Sequence, residues 1–508
     1  MKRDERGRIF LSTENASNAS KEKTFFGHPR GLATLFNTEF WERFSYYGMR
    51  AILIYYMYDS VAKGGLGFDQ ATATAIMSIY GSLVFMSGVI GGWFADRVLG
   101  PRQTIFYGGV LIMVGHIVLA LPNGGATALF VSMAFIILGT GLLKPNVSNV
   151  VGDLYPVGDN RRDAGFSIFY MGINLGAFIA PFIVSAVSDK AGSFHAGFSV
   201  AAVGMAVALI VYVLTGKRYL KEAGKKVPNP LQKSETTSLI LKIVGIIVGI
   251  GILIAILTMI TGSLTINTII LAVTVMGVGV PLAYFIMMMT SKKTEADEKS
   301  RLTAYIPLFL IAVLFWMIEE QGSSTLAIFA AERTDLSIGS FQLNPANFQS
   351  LNPVFVIILS PVFAWIWTKL GDRQPSTPRK FALGLFFAGL SFVIMMFPGI
   401  IHGNTTTLVS PLWLVLSFFI CIFGEMFISP VGLSATTKLA PKAFASQTMS
   451  LWFLSDAMGQ AFNAQATQFF SADTEIAYFG ITGFVAIAFA VGLFILAPFL
   501  KKYMKGVH

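Results

Sequence analysis

The segment that decides the fold reads Glu39-Phe-Trp-Glu42-Arg43-Phe-Ser-Tyr46-Tyr47-Gly-Met-Arg50. It opens an apolar run predicted to be a helix. At 100° per residue its charged and tyrosine side chains fall within an arc of about 100°, with Glu42 at the edge. Two carboxylates and two guanidinium groups on one stripe would be prohibitive facing lipid. This charged stripe therefore predicts a membrane helix that faces a wet cavity lined by protein.

The composition places the whole chain in a membrane. Of the 508 residues, 54% are hydrophobic and 13% are charged, whereas about a quarter of a soluble domain is charged. Apolar runs longer than about 18 residues recur, and each can cross a bilayer. The sequence predicts an all-α polytopic membrane protein with fourteen transmembrane helices. The predicted spans cover residues 33–60, 70–96, 103–121, 126–149, 161–188, 195–216, 237–260, 265–290, 302–330, 347–370, 379–399, 410–433, 442–471 and 476–500.

The net charge of +10 orients the protein and does not indicate a nucleic-acid partner. If the N-terminus is cytoplasmic, thirty lysine and arginine residues fall on the inner side, and the outer loops hold Lys63, Lys190 and Arg333. This is a strong positive-inside bias, and an even number of helices puts both termini in the cytoplasm. The first 30 residues are polar and the first apolar run is already a full span, so no cleavable signal peptide is expected. Because Cys421 is the single cysteine, we expect no disulfide within the chain.

Two charged linkers divide the chain. Residues 217–235 and 291–301 flank two helices with almost no polar side chains, which predicts a peripheral helix pair inserted between two six-helix halves. The predicted units are an N-terminal tail, an N-terminal bundle, a central insert, a C-terminal bundle and a C-terminal tail, at 1–32, 33–216, 217–301, 302–500 and 501–508.

A repeated turn supports this division. The sequence Gly92-Trp-Phe-Ala-Asp96-Arg97 is echoed by Gly371-Asp372-Arg373. The pair resembles the cytoplasmic loop signature of the major facilitator superfamily, which implies two parallel halves around a site near mid-membrane. Two ordinary helix-terminating turns are the alternative.

Further rare polar residues lie within the predicted spans. Lys144 follows Gly139-Thr-Gly-Leu-Leu, and a lysine there must pair with an acid or lie in water. Tyr170 and Asn174 are four residues apart and face one way. Glu319 and Glu320 are adjacent; Glu320 shares a face with Trp316, whereas Glu319 points about 100° away. Neighbouring like charges favour a carboxyl group that takes up and releases a proton.

The later spans add another acid and several polar groups. Glu425 and Ser429 are four residues apart in Gly-Glu-Met-Phe-Ile-Ser-Pro. The remaining candidates are Asn352, Trp452 and Ser455. A structural interpretation stays open for each of these residues: a charge-neutral cluster can fix helix packing, a lysine can reach the interface, and asparagine and tryptophan can join helices.

Counted together, the acids outnumber the bases. The acids are Glu39, Glu42, Glu319, Glu320 and Glu425, and the bases are Arg43, Arg50 and Lys144. All the bases come from the first half, so a basic wall faces acidic groups, which suits a zwitterion. The surplus of acids leaves at least one to carry a proton. The residues alone therefore favour a cation- or proton-coupled carrier of small zwitterions.

The motifs together resemble the proton-coupled oligopeptide transporter family. They are Glu39-xx-Glu42-Arg43-Phe-x-Tyr46-Tyr47, Gly-Leu-Leu-Lys144-Pro-Asn, Phe-Tyr170-xx-Ile-Asn174-x-Gly and Gly-Glu425-xx-Ile-Ser429-Pro. The resemblance covers nearly all of the membrane core, and the inserted pair is similar to the fourteen-helix arrangement of bacterial members. It implies uptake of di- and tripeptides, driven by protons, across a bacterial cytoplasmic membrane by a protein that works as a monomer.

The resemblance also implies roles for single residues. Arg43, Tyr47, Arg50 and Lys144 would receive the peptide carboxylate; Glu425, Asn174 and Asn352 would hold its amine and backbone; Ser429 would complete the site; and Trp316, Trp452 and Ser455 would border side-chain pockets. Glu39, Glu42, Arg43, Lys144 and Glu320 would couple protons. The gating salt bridges would be Arg50 with Glu320 when the outside is shut and Lys144 with Glu425. Lys144 would exchange between the Glu39/Glu42 pair and Glu425 as the inside opens. Some animal relatives use a histidine in the second helix, but none lies between Gln70 and Asp96 here.

Other classes remain as alternatives. A relative that carries nitrate or another small anion would gain nothing from an acid placed to bind an amine. An intramembrane enzyme is disfavoured, because no helix carries paired His/Asp metal spacing or a Ser/His/Asp set. We therefore expect no catalytic residues, metal or cofactor. A scaffold or receptor would not need so many opposed charges at mid-membrane.

Overall fold

A computed structural model describes residues 2–3, 9–10, 24–156 and 159–505. Most of the predicted N-terminal tail and the last three residues of the C-terminal tail lie outside this part of the chain. The long helices are α1 Gly31–Tyr58, α2 Gln70–Phe94, α3 Pro101–Ala120, α4 Gly125–Asp153, α5 Arg162–Ala191, α6 Phe194–Tyr219, α7 Lys233–Thr261, α8 Ile266–Thr290, α9 Ala296–Glu319, α10 Thr325–Glu332, α11 Leu351–Leu370, α12 Thr377–His402, α13 Leu412–Leu439, α14 Ala445–Ala466 and α15 Glu475–Tyr503.

Helices α9 and α10 form one span, broken by a 3₁₀ turn at Glu320–Ser323. The described residues therefore contain fourteen spanning segments, as predicted. Twelve of them are long and apolar enough to cross a membrane by composition alone. The other two, α1 and α14, carry polar side chains that the protein interior must accommodate.

Short elements connect the helices. The short helices outside the long ones are Val61–Lys63, Ala95–Leu99, Pro345–Ser350, Gly371–Arg373, Lys442–Phe444, Thr467–Phe469 and Ala472–Thr474. Two antiparallel pairs of two-residue strands are present, β1 Lys2–Arg3 with β2 Ile9–Phe10 and β3 Ser337–Ile338 with β4 Phe341–Gln342.

Local chemistry sets several helix ends. The Asp69 carboxylate caps α2 by accepting a hydrogen bond from the Thr72 backbone N–H at 2.8 Å. Helix α3 starts with Pro101, whose missing N–H costs nothing at that position. Helix α5 stops at Gly192, which adopts a left-handed conformation (φ 60°) that suits glycine.

The helices form two six-helix bundles and an inserted pair. In the first bundle α1 packs against α5 and α6, and α4 packs against α2 and α3. In the second, α12 packs against α13 and α15, and α9 against α12 and α14. The bundles meet where α2 lies against α14 and where α5 lies against α11. The fold class expected from the sequence, a major facilitator arrangement with an added pair, is confirmed.

The inserted pair lies at the periphery. Helix α8 packs on both α2 and α14, whereas α7 packs on α8 and buries only Leu257 of its own residues. An apolar helix exposed almost all round is stable only in lipid. The linker before α7 is tied to the first bundle, because the Asn229 and Leu231 backbone N–H groups donate to the carbonyls of Asp96 and Arg97.

The two bundles are joined firmly at one end, which we call the closed end. There the Tyr55 hydroxyl donates to the Ala327 carbonyl at 3.1 Å, and the Ser185 hydroxyl donates to Asn347 at 3.0 Å. Gln70 of α2 also donates to Glu332 of α10. The opposite end, where α1 begins and α11 terminates, is called the open end.

Candidate functional site

A cavity of about 630 Å³ lies between the two bundles, within the range of roughly 300–1,000 Å³ that is usual for small-molecule sites. Helices from both bundles line it. Of the residues predicted from the sequence, it is lined by Glu39, Arg43, Tyr47, Arg50, Lys144, Asn174, Trp316, Glu319, Glu320, Asn352, Glu425, Ser429 and Trp452. We call it the central cavity.

The central cavity extends toward the open end. Its lining follows α11 from Asn352 to Trp367, three residues before that helix ends. On α13 it continues from Glu425 past Pro430 to Leu433. Since the bundles are bonded together at the closed end, this conformation is accessible from one side only.

Arg43 is held by two carboxylates of its own helix. Its Nη2 donates to Glu42 Oε1 at 2.7 Å, and its Nε lies 3.3 Å from Glu39 Oε1. All three side chains are almost fully buried. Glu42 lies behind Arg43 and does not line the cavity. One guanidinium faces two carboxylates, so the cluster has one more acid than it has bases. Because an unpaired buried charge is costly, one of these acids is a candidate to bind a proton.

Arg50 pairs with Glu320 across the interface between the bundles, and each side chain is 9% exposed. The pair lies where the α9–α10 span breaks, because Glu319 ends α9 and Glu320 opens the 3₁₀ turn. Both acids line the cavity. Their partners differ, since Glu320 pairs with Arg50 of the first bundle whereas Glu319 bonds to Asn352 of the second. The expectation that the two side chains point about 100° apart stays a prediction.

A buried polar network holds this break in place. Gln321 donates to Asn463 Oδ1 at 3.0 Å and accepts hydrogen bonds from Thr325 at 2.6 Å and from the Tyr478 hydroxyl at 2.7 Å. These bonds satisfy the buried Gln321 amide inside the protein, as membrane burial requires. The network fixes Glu320 opposite Arg50.

The other two acids of the second bundle have neutral partners. Glu319 accepts a hydrogen bond from the Asn352 amide, and Glu425 accepts one from the Ser429 hydroxyl at 3.0 Å. No cation of the described chain lies within 4 Å of either group. The second bundle therefore presents carboxyl groups that are ready to accept a positively charged ligand.

Lys144 is positioned by a close helix crossing. A Cβ atom on Gly91 of α2 would lie 1.8 Å from the carbonyl oxygen of Gly141 on α4, so only glycine allows this approach. One turn further along α4, the Lys144 ammonium lies 4.6 Å from the centre of the Phe85 ring. Within the described ranges no carboxylate lies within 4 Å of it. The predicted Lys144–Glu425 salt bridge is therefore not formed in this conformation.

Ser455 lies outside the cavity, contrary to the prediction from the sequence. Its hydroxyl donates to the Trp452 carbonyl at 2.6 Å and does not line the cavity. Asp456, the next residue, does line it and was missed. Asp456 lies four residues after Trp452, so the i,i+4 spacing that paired Glu425 with Ser429 was the signal that could have found it.

Tyr170 and Asn174 lie together on the cavity wall, as their spacing predicted. The Asn174 amide donates to the Tyr170 carbonyl at 2.9 Å.

In the part of the chain that is described, no group of three or more His, Cys, Asp or Glu side chains is placed to bind a metal ion.

Comparison with known proteins identifies the family of the chain. The profile of the POT family, the proton-coupled oligopeptide transporters, matches residues 102–485. The chain belongs to the POT family. The resemblance drawn from the motifs of this POT-family chain is thereby confirmed.

Two relatives align over almost the whole length of this POT-family chain. The uncharacterized transporter YclF of Bacillus subtilis strain 168 is 56% identical over 501 residues, covering 98% of this chain and 99% of the relative. The di-/tripeptide transporter of Lactococcus lactis subsp. cremoris is 50% identical over 493 residues, covering 96% and 99%.

A solved structure shares the fold of this POT-family chain. A mutant of the peptide transporter POT in complex with alafosfalin superposes with a TM-score of 0.90 at 56% identity, covering 98% of this chain and all of the other. The fold and the alignment together establish a polytopic membrane protein of a transporter family.

Proposed function

We propose that this protein imports di- and tripeptides together with protons, by alternating access of the central cavity to the two sides of a bacterial cytoplasmic membrane. The observation that carries the proposal is one cavity with a basic wall from the first bundle and an acidic wall from the second. The di-/tripeptide transport named for the Lactococcus relative, at 50% identity, supports the choice of substrate.

The two walls suit the two ends of a peptide. Arg43, Tyr47, Arg50 and Lys144 provide cations and a hydroxyl for the carboxylate. Lys144 is the free member of this group, because its ammonium has no ionic partner within the described residues. Glu425 and Asn352 of the second bundle, together with Asn174 of the first, receive the amine and backbone.

Side chains of the peptide lie against aromatic surfaces. The rings of Trp316 and Trp452 are 6.3 Å apart and both border the cavity. Ser455 is left out of this contact set because it does not line the cavity. Aromatic walls accept varied side chains, which fits a carrier that binds peptides through their common termini.

Protons act through the Arg50–Glu320 pair. Protonation of Glu320 removes its charge, releases Arg50 for the peptide carboxylate and weakens the closed end. Peptide and proton then favour the same change of state, which is the condition for coupling. Glu39 and Glu42 form a second proton site, in which loss of one charge would free Arg43.

Lys144 changes partner during the cycle. In this conformation it rests on Phe85, and its flexible stem allows it to reach Glu425 in another. Formation of a Lys144–Glu425 bridge would draw the two bundles together on the open side and close the cavity there. The open side is cytoplasmic if the positive-inside bias of the sequence sets the orientation.

We also propose that the three units predicted from the sequence, residues 33–216, 217–301 and 302–500, have separate roles in transport. The first and third units move as bundles and the second is an accessory insert, with one chain sufficient for transport.

The test is uptake of labelled dialanine by proteoliposomes under an imposed pH gradient and voltage. The natural protein should accumulate dialanine when the outside is acidic. Glu320→Gln should still exchange peptide across the bilayer and should lose proton-driven accumulation.

Glu222→Gln is the matched control, because Glu222 is 73% exposed in the linker and the same chemical change there should leave accumulation intact. Accumulation by the Glu320→Gln protein would contradict the assignment of the proton site. Failure of the natural protein to take up dialanine would contradict the substrate.

A further inference from the structure

We propose that Asp456 makes the aromatic side of the central cavity a subsite for a basic side chain, so that the protein prefers peptides containing lysine or arginine. This inference rests on the proposed peptide transport and names a substrate class within it. It depends on three features of Asp456: its burial, its lack of a partner and its position beside the tryptophans.

Asp456 is a buried carboxyl group facing the cavity. Its side chain belongs to a residue that is 5% exposed, and its Oδ1 atom has no hydrogen-bond partner in the described chain. No lysine or arginine nitrogen of the described residues comes within 4 Å of it. An ionised carboxylate in such a place is costly unless a cation reaches it. A ligand bound in the cavity can provide that cation.

The other carboxyl groups of this site already have partners. Glu42 and Glu39 hold Arg43, and Glu320 holds Arg50. Glu319 and Glu425 have their amide and hydroxyl donors. Among the described residues that line the cavity, Asp456 therefore has the one carboxyl group that accepts no hydrogen bond and pairs with no cation.

The charges that act on Asp456 come from both walls. Lys144 and Arg50 attract it, and Glu320 and Glu425 repel it. Since Arg50 is paired, Lys144 is the competing cation of the protein. When the peptide carboxylate occupies Lys144, as proposed above, that competitor is removed and a cationic side chain of the same peptide can take its place.

The neighbouring surface fits the stem of such a side chain. Asp456 lies one turn after Trp452, so both project from one face of α14. The Trp452 ring is 6.3 Å from that of Trp316, whose Nε1 atom is also without a partner in the described chain. Lysine and arginine pack their apolar stems and cationic heads on aromatic rings. The tryptophans would bind the stem while Asp456 binds the charged head.

The experiment compares Ala-Lys with Ala-Met, a neutral peptide with a side chain of similar length. The ratio of their uptake efficiencies (Vmax/KM) in proteoliposomes is measured for the natural protein, Asp456→Asn and Asp456→Glu. The natural protein should favour Ala-Lys. Asp456→Asn should lower the Ala-Lys to Ala-Met ratio about tenfold, as expected for loss of a charged hydrogen bond. Asp456→Glu keeps the charge and should restore part of the ratio.

Asp473→Asn is the matched control, because Asp473 is exposed at the closed end, and its ratio should equal that of the natural protein. The inference is overturned if Asp456→Asn leaves the ratio unchanged. It is equally overturned if both efficiencies fall in proportion, since Asp456 would then serve Lys144 and not the substrate. Dialanine uptake by the natural protein, measured in parallel, separates these failures from failure of the proposed function.

Discussion

Replacing Glu320 with glutamine should open the end of the protein that is closed in the structure. The Arg50–Glu320 pair joins the two bundles, and both side chains are nearly buried. Glutamine can still accept a hydrogen bond but carries no charge, and a neutral bond is about half as strong as a charged one. The loss should be about 1–3 kcal/mol, which shifts the equilibrium between the two conformations about 5- to 150-fold. The hydrogen bonds at Tyr55 and Ser185 remain and keep part of the population closed.

Distances between spin labels at the closed end would measure this shift. Lys63 and Asp473 are exposed there on opposite bundles and can be replaced by cysteine. The buried native thiol is first removed by Cys421→Ser. In nanodiscs, double electron–electron resonance should show a longer distance gaining population in the Glu320→Gln protein.

Glu222→Gln should leave the distance distribution unchanged, since that residue lies in the exposed linker. If the distance distribution of the Glu320→Gln protein matches that of its parent, the pair does not hold this end closed and the reasoning is refuted.

Further substitutions test three other contacts. Glu425→Gln should raise the KM for dialanine about tenfold in uptake assays by removing a charged partner of the amine; an unchanged KM would count against that contact. Lys144→Ala should abolish accumulation of dialanine while Lys144→Arg retains part of it, and equal activities would exclude a role for the charge. Arg333→Met leaves Glu475 buried without its cation and should cost about 3–5 kcal/mol, seen as a lower unfolding temperature in detergent. Adding Glu475→Leu should recover most of that loss, and no recovery would contradict the explanation.

The sequence predicted the fold well because lipid leaves few choices. Every spanning segment must satisfy its backbone internally, so apolar runs of sufficient length become helices. Helix α14 is the instructive case, since it reads as polar and still spans the protein. Its polar residues, among them Asp456, Gln460 and Asn463, are buried within the bundles. The charged stripe on α1 has the same explanation, because its side chains are also enclosed by protein and not by lipid.

The site was predicted less completely, for physical reasons. Helical periodicity gave the faces of α1, α5 and α13, but it did not predict that a 3₁₀ turn at Glu320–Ser323 would interrupt the span. Ser455 entered the predicted site through the family resemblance, and its neighbour Asp456 was not considered although one residue along a helix turns the side chain by about 100°. The partner of Lys144 depends on the conformational state, and the spacing of residues along a helix gives no information on that state.

The broken span also directs a helix dipole at the cavity. The peptide units of α9 sum to about half a negative charge at its C-terminus, which lies at Glu319. This partial charge comes from the backbone, so it persists when the nearby carboxyl groups are neutral and no side-chain substitution removes it. The positive end of α10 begins at Thr325 and does not line the cavity, so it offsets this charge only in part. The break therefore adds an attraction for an ammonium group that does not depend on whether the nearby carboxyl groups are protonated.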